Sequence, residues 1–125
     1  MGTRMKAGYV DGFVIAIPKK NMSAYRRIAA KAGMVWMDHG AIQYCECVGD
    51  DLKTKWGIPF PKMAKAKAGE TILFSWIVYE SKKHRDKVNA LVMKDPRLAK
   101  MMDPSKMLFD MKRLAYGGFK VIVAM

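Results

Sequence analysis

Cysteine is scarce in this chain of 125 residues: there are two, Cys45 and Cys47. They stand two apart in a stretch that reads as a strand. Their side chains then share one face roughly 6–7 Å apart, beyond an unstrained disulfide. No further ligands at metal-binding spacing accompany them, so no metal is expected and both read as ordinary thiols of a reducing compartment. Long apolar runs are missing too, and nothing approaches the roughly 20 residues that cross a bilayer. The opening MGTRMKAG lacks the apolar core of a signal peptide,. Residues 1–8 therefore read as a frayed lead-in, no membrane partner is expected, and the protein is expected in the cytoplasm. Also absent are G-x-G-x-x-G, a Walker-type loop, H-E-x-x-H and a nucleophile elbow. No cofactor is expected, and a cofactor-dependent enzyme is disfavoured.

Acidic residues are few, 11 against 23 Lys and Arg, which leaves a net charge of +12. That excess attracts polyanions. The lysines are nevertheless dispersed over element ends, the 53–67 stretch and one helix, and neither an RNP aromatic motif nor a G-x-x-G clamp appears. Any association with RNA or DNA is expected to be weak, non-specific and salt-sensitive.

What is present is a 51% hydrophobic composition, enough for one domain spanning 1–125 with its own core. Residues 9–17 (YVDGFVIAI) read as a strand bounded by Gly8 and Pro18. Asn21 is placed to cap a helix in which Tyr25, Ile28, Ala29, Ala32, Val35 and Trp36 recur at 3.6-residue spacing and Gly40 is the stop. Gly33 inside it costs about 1 kcal/mol relative to Ala. Residues 41–48 (AIQYCECV) alternate as a second strand. A long loop, 49–70, carries Pro59, Pro61 and spaced lysines, and loops of that length usually have a function. The third strand is 71–79 (TILFSWIVY). Ser81 caps a second helix with an inward stripe of His84, Val88, Leu91 and Val92. Asp95-Pro96 and Asp103-Pro104 each restart a short helix. Residues 116–123 (YGGFKVIV) close the pattern, with a bulge expected at Gly117-Gly118.

The order βαββαβ predicts an α+β, ferredoxin-like fold: an antiparallel four-stranded sheet with two helices on one face. Strands one, three and four are apolar on both sides. Something must cover the second sheet face, and a second copy of the same sheet is the economical cover, so a homodimer is expected.

Five ordered motifs, YVDGF (9–13), ECVGDD (46–51), FSWIVYESKKHRDKVN (74–89), DPRLAKMMDP (95–104) and FDMKRLAYGGF (109–119), resemble the bacterial YbaA-like family, which has no assigned activity. The similarity runs over about 9–123 and departs from the family pattern at 53–58, Leu108 and Met111. It implies a place in the dimeric α/β-barrel group of ferredoxin-like folds. By analogy with that group it also implies a small organic ligand held between sheet and helices, and in some relatives catalysis without a cofactor.

Asp11 and Glu46 interrupt otherwise apolar strand faces. A carboxylate there takes a cationic partner or rises in pKa. Two readings stand: structural ion pairs, with His84, Arg85 or Arg113 as partners, or acids and bases of a site. His84 is read either as a hydrogen-bonded core residue or as a catalytic group, and His39 as a cation at the end of the first helix. The candidate catalytic set is Asp11, Glu46 and His84. The candidate ligand-binding set is Arg85 and Arg113, which would hold an anionic or phenolic oxygen, with Trp76 and Tyr116 as walls. The site is expected between the helix-side sheet face and the methionine-rich stretch 95–111, acting as an adaptable cover.

Overall fold

The computed structural model describes residues 6–101 and 103–125, with Pro104 by its backbone only. Of the lead-in, residues 1–5 lie outside the described residues. Gly8 is already bound to the sheet: its N–H donates to Tyr79 O, and its own carbonyl accepts from Val121 N.

Four strands, β1 (Tyr9–Pro18), β2 (Gln43–Val48), β3 (Glu70–Tyr79) and β4 (Ala115–Lys120), form one sheet in the order β2-β3-β1-β4. Every pairing is antiparallel. The long helices are α1 (Met22–Asp38) and α3 (Lys82–Met93), with a four-residue α2 (Phe60–Met63) in the long loop and α4 (Pro96–Met101) after α3. This is the expected α+β ferredoxin-like architecture. Among the described residues no helix is long and apolar enough to cross a membrane.

Strand alternation assigns the two faces. Tyr9, Asp11, Phe13, Ile15 and Ile17 of β1 lie beside Tyr79, Ile77, Ser75, Leu73 and Thr71 of β3. Tyr44 and Glu46 of β2 continue that face. Against it pack Val35 of α1, Val88 and Val92 of α3 and Leu98 of α4. Burying these aliphatic side chains contributes about 1.5–3 kcal/mol each. The opposite face carries Phe74, Trp76, Gln43 and, on β4, Phe119.

Several details differ from the expectation. Asn21 does not cap α1; its side-chain amide donates to Leu108 O at 2.8 Å, tying the start of α1 to the 95–111 stretch. Leu91 is 41% exposed, so the inward face of α3 consists of Val88 and Val92 with Arg85 and Asn89 beside them. Ser81 does cap α3, accepting from His84 N at 3.0 Å. β4 has no bulge: Gly117 and Gly118 stay in register with Gly12 and Asp11, and a Cβ at Gly118 would run into the Tyr9 ring. The strand stops at Lys120, short of the expected 123. The 49–70 segment is not a bare loop: Pro59 and Pro61 frame α2, and Phe60 meets Phe74 on the opposite face at 5.9 Å.

Gly33 is the close approach between α1 and β2. A Cβ there would sit 2.7 Å from the Tyr44 ring. Helix propensity favours alanine by about 1 kcal/mol, whereas overpacking costs about 1–3 kcal/mol. Gly33→Ala is therefore expected to lower the melting temperature, as read by circular dichroism. A raised melting temperature would mean that α1 does not seat on Tyr44.

Candidate functional site

A cavity of about 430 Å³ lies between the helix-side sheet face and the stretch from Leu98 to Tyr116. Phe13, Ile15 and Ile77 of the sheet, Trp36 of α1, and Leu98, Met101 and Met107 give it an apolar lining. Asn89, Ser75 and the Tyr25–Glu46–Tyr44 group are polar points on its wall, with Asp11 beneath. This is the location expected from the sequence.

Asp11 stands mid-strand and is 2% exposed. Arg85 of α3 donates to its Oδ1 at 2.7 Å, and its guanidinium also lies 4.9 Å over the Tyr9 ring,. Burial raises the Asp11 carboxyl above the ordinary aspartate value, and the Arg85 charge with hydrogen bonds from Asn89 and Arg85 offsets this only in part. Asn89 lies one turn after Arg85, and its Oδ1 accepts from Trp36 Nε1 at 3.1 Å and Tyr79 OH at 3.2 Å. No buried side-chain polar atom among the described residues lacks a partner.

Glu46 has a different environment. Its Oε1 accepts from Tyr25 OH and its Oε2 from Tyr44 OH, each at 2.8 Å. Both phenols are desolvated and face the carboxylate, which pushes their pKa far above the ordinary tyrosine value. They therefore keep their protons and act as donors. Among the described residues no cation forms a salt bridge with Glu46. A second cavity, about 650 Å³, runs along the β2 edge beside α1 and shares Tyr25, Tyr44 and Glu46 with the first. The three side chains form the partition between the two.

The other sequence candidates are placed elsewhere. His84 is not in the cavity wall; its Nδ1 accepts from Glu80 N at 3.0 Å and its ring meets Tyr79 edge-on, so it closes the β3–α3 turn. Arg113 forms a two-pronged pair with Glu70 at 2.7 and 2.9 Å and donates to Lys65 O, pinning the end of the long loop. Trp76 borders the cavity, but alternation turns its indole to the opposite face, where it donates to Gln43 Oε1 at 2.9 Å,. Tyr116 does line the cavity and stacks on Phe13 at 5.2 Å. His39 is tied to Asp95 at 2.8 Å, holding the end of α1 to the α3–α4 junction. The Cys45 and Cys47 sulfurs are 3.9 Å apart and unbridged, closer than strand spacing alone suggests.

Tyr25 and Asn89 were not singled out from the sequence as functional. Tyr25 reads as one member of an apolar helix stripe. The signal for Asn89 is its i+4 spacing from Arg85. Tyr44 was legible as a neighbour of Glu46 two residues away on the same strand face.

Residues 8–111 match a family described as a protein of unknown function, DUF1428. Uncharacterized protein YbaA of Escherichia coli (strain K12) is 42% identical over 115 residues, 92% of this chain and 97% of the relative. A protein of the same description from Shigella flexneri matches equally. The chain belongs to the DUF1428 family. It also resembles the crystal structure of a NIPSNAP family protein of unknown function from Agrobacterium tumefaciens, with a TM-score of 0.57 and 13% identity over 97% of this chain and 94% of the other. That likeness concerns the fold alone.

Asp11 and Glu70, each paired with an arginine, have opposite pH signatures. Hydrogen bonds from Arg113 and then from Lys67 N–H hold Glu70 at about 2, below its ordinary 4.5. Its contribution to stability is present above 4.5 and is lost as the pH falls toward 2,. Asp11 is raised above 3.8, so its contribution is present below that value and fades as pH rises through the raised one,. Glu70→Gln should therefore be less stable than the parent at neutral pH, with a flatter loss of stability on acidification. A parent-like acid limb in denaturant titrations would show that the Arg113–Glu70 pair is not what titrates.

Proposed function

We propose that this member of the DUF1428 family is a homodimer that binds a small, largely apolar organic molecule in the cavity between sheet and helices. The observation that carries this reading is an apolar cavity of about 430 Å³ with a few convergent polar groups, the usual constitution of a small-molecule site. The methionines bordering it, Met101, Met107 and Met111, suit a cover that adapts to its contents,. The same polar groups would serve a proton transfer that needs no cofactor. Two unbridged thiols fit a reducing compartment, and the reading places the protein in the cytoplasm,.

The dimer rests on the opposite sheet face. Phe74 is 43% and Phe119 61% exposed there despite the cover that α2 supplies, and such an apolar face is a site of association. Light scattering coupled to size exclusion at micromolar concentration should give about 28 kDa, twice the 14.1 kDa chain,. A stable species of 14.1 kDa would refute the dimer.

The cavity is tested with a probe of matching size, 2-naphthol, followed by amide chemical-shift changes. Saturable shifts are expected on Ile15, Ile77 and Leu98. Ala32 of α1 also lines the space, so Ala32→Phe should fill it and abolish the shifts while the fold is retained. Unaltered binding in that variant, or no saturable shifts in the parent, would overturn the cavity reading.

A further inference from the structure

The chain carries +12, yet its positive groups are withheld from the cavity. Arg85 is bound to Asp11 and Asp86, and Arg113 to Glu70 and the Lys65 carbonyl. His84 is engaged with the Glu80 amide. The exposed Lys106 is the one cation among the described lining residues, against three acids, Asp11, Glu46 and Asp103. Asp11 is neutralised by its arginine, and Asp103 accepts from the amide and hydroxyl of Ser105. Glu46 remains: a carboxylate inside a largely apolar wall, held by two phenols and by no cation among the described residues.

The geometry of Glu46 decides what it can accept. Each carboxylate oxygen has about two acceptor positions. Tyr25 and Tyr44 fill one on each oxygen, leaving one on each for an incoming donor. The phenols also restrict the carboxylate to a single orientation, so a ligand donor meets a fixed acceptor rather than a flexible side chain. An anion entering the same space would lose its hydration and meet the Glu46 carboxylate, with the exposed Lys106 as the one cation among the described lining residues, which is unfavourable.

We propose that Glu46 is the polar anchor of the cavity, and that the site selects neutral or cationic apolar molecules bearing an O–H or N–H donor (a phenol, alcohol or amine) and rejects carboxylates and phosphates. The proposal rests on the reading of the cavity as a ligand site and adds the chemical class. Charge-assisted hydrogen bonds are about twice as strong as neutral ones, so a donor directed at Glu46 discriminates more than the apolar contacts do. The Tyr25–Glu46–Tyr44 partition is also reached from the groove along the β2 edge, so the anchor faces both spaces.

The test uses four probes on one ring system: 2-naphthol, 2-naphthylmethylamine, 2-methoxynaphthalene and 2-naphthoate, measured by calorimetry on the full chain at neutral pH. The naphthol and the amine are expected to bind at least tenfold more tightly than the methoxy compound, and the naphthoate most weakly of all. In Glu46→Gln the advantage of the donors over the methoxy compound should shrink severalfold. In Tyr25→Phe and Tyr44→Phe the freed carboxylate should still prefer donors. If all four probes bind equally, or the naphthoate binds best, the Glu46 assignment is wrong while the cavity reading stands. If none binds saturably, the cavity reading itself has failed. Should Glu46→Gln not fold, the ranking of the four probes on the parent chain decides alone.

Discussion

A carboxylate in the middle of a central strand, under two helices, is the constraint around which this fold is organised. Asp11 has almost no contact with water, and an isolated ionised group in that position is prohibitively costly. The chain resolves this with Arg85, one turn into α3, which reaches down to the sheet at 2.7 Å. That contact fixes how far along the sheet α3 sits. Asn89, four residues on, then comes over the same region and accepts from Tyr79 of β3 and Trp36 of α1. One buried charge thus links the sheet to both long helices. Such a network adds little net stability over an apolar equivalent, but breaking one partner costs about 3–5 kcal/mol. Against a total of about 5–15 kcal/mol for a domain, this makes the pair decisive for where the helices dock.

The functional reading follows from where the charges are spent. Arg85, Arg97 and Arg113 are each consumed by ion pairs, with Asp11, Asp95 and Glu70 respectively. The lysines are distributed over the surface. A strongly basic chain therefore encloses a cavity whose free polar character is that of an acceptor, because Glu46 is satisfied by neutral phenols instead of a cation. Net charge describes what a protein attracts at long range; the composition of its cavity wall is a separate matter, and here the two have opposite sign.

Much of this was legible beforehand. Alternation in 41–48 and the bounded, β-rich runs 9–17 and 71–79 located these strands, and the polar interruptions at Asp11 and Glu46 marked two residues on the cavity wall, Asp11 buried and Glu46 half-buried. The partner of Asp11 was not decided by pattern, since His84, Arg85 and Arg113 all stood as candidates. Geometry settles it: His84 is bound into the turn that follows β3, and Arg113 precedes β4 at the far end of the sheet from Asp11, beside Glu70. Trp76 borders the cavity as expected, but its indole turns to the opposite face, because strand parity relative to Asp11 depends on register, which composition does not reveal. α2 was hidden in the long loop, although Pro61 just inside its start is a recognised helix signal. The Asn21 side chain was diverted from capping by a tertiary partner, Leu108, which no local reading of 18–25 contains.

The central claim is that the Asp11–Arg85 pair is architectural and that ligand recognition belongs to Glu46. A double-mutant cycle on Asp11→Asn and Arg85→Met, with stability and 2-naphthol affinity measured on every variant, tests it most directly. Arg85→Met alone should lose about 3–5 kcal/mol, the double variant should recover most of that loss, and probe affinity should match the parent wherever the chain is folded. Stability close to that of the parent in Arg85→Met together with loss of probe binding would contradict the account, because the pair would then belong to the site and not to the scaffold.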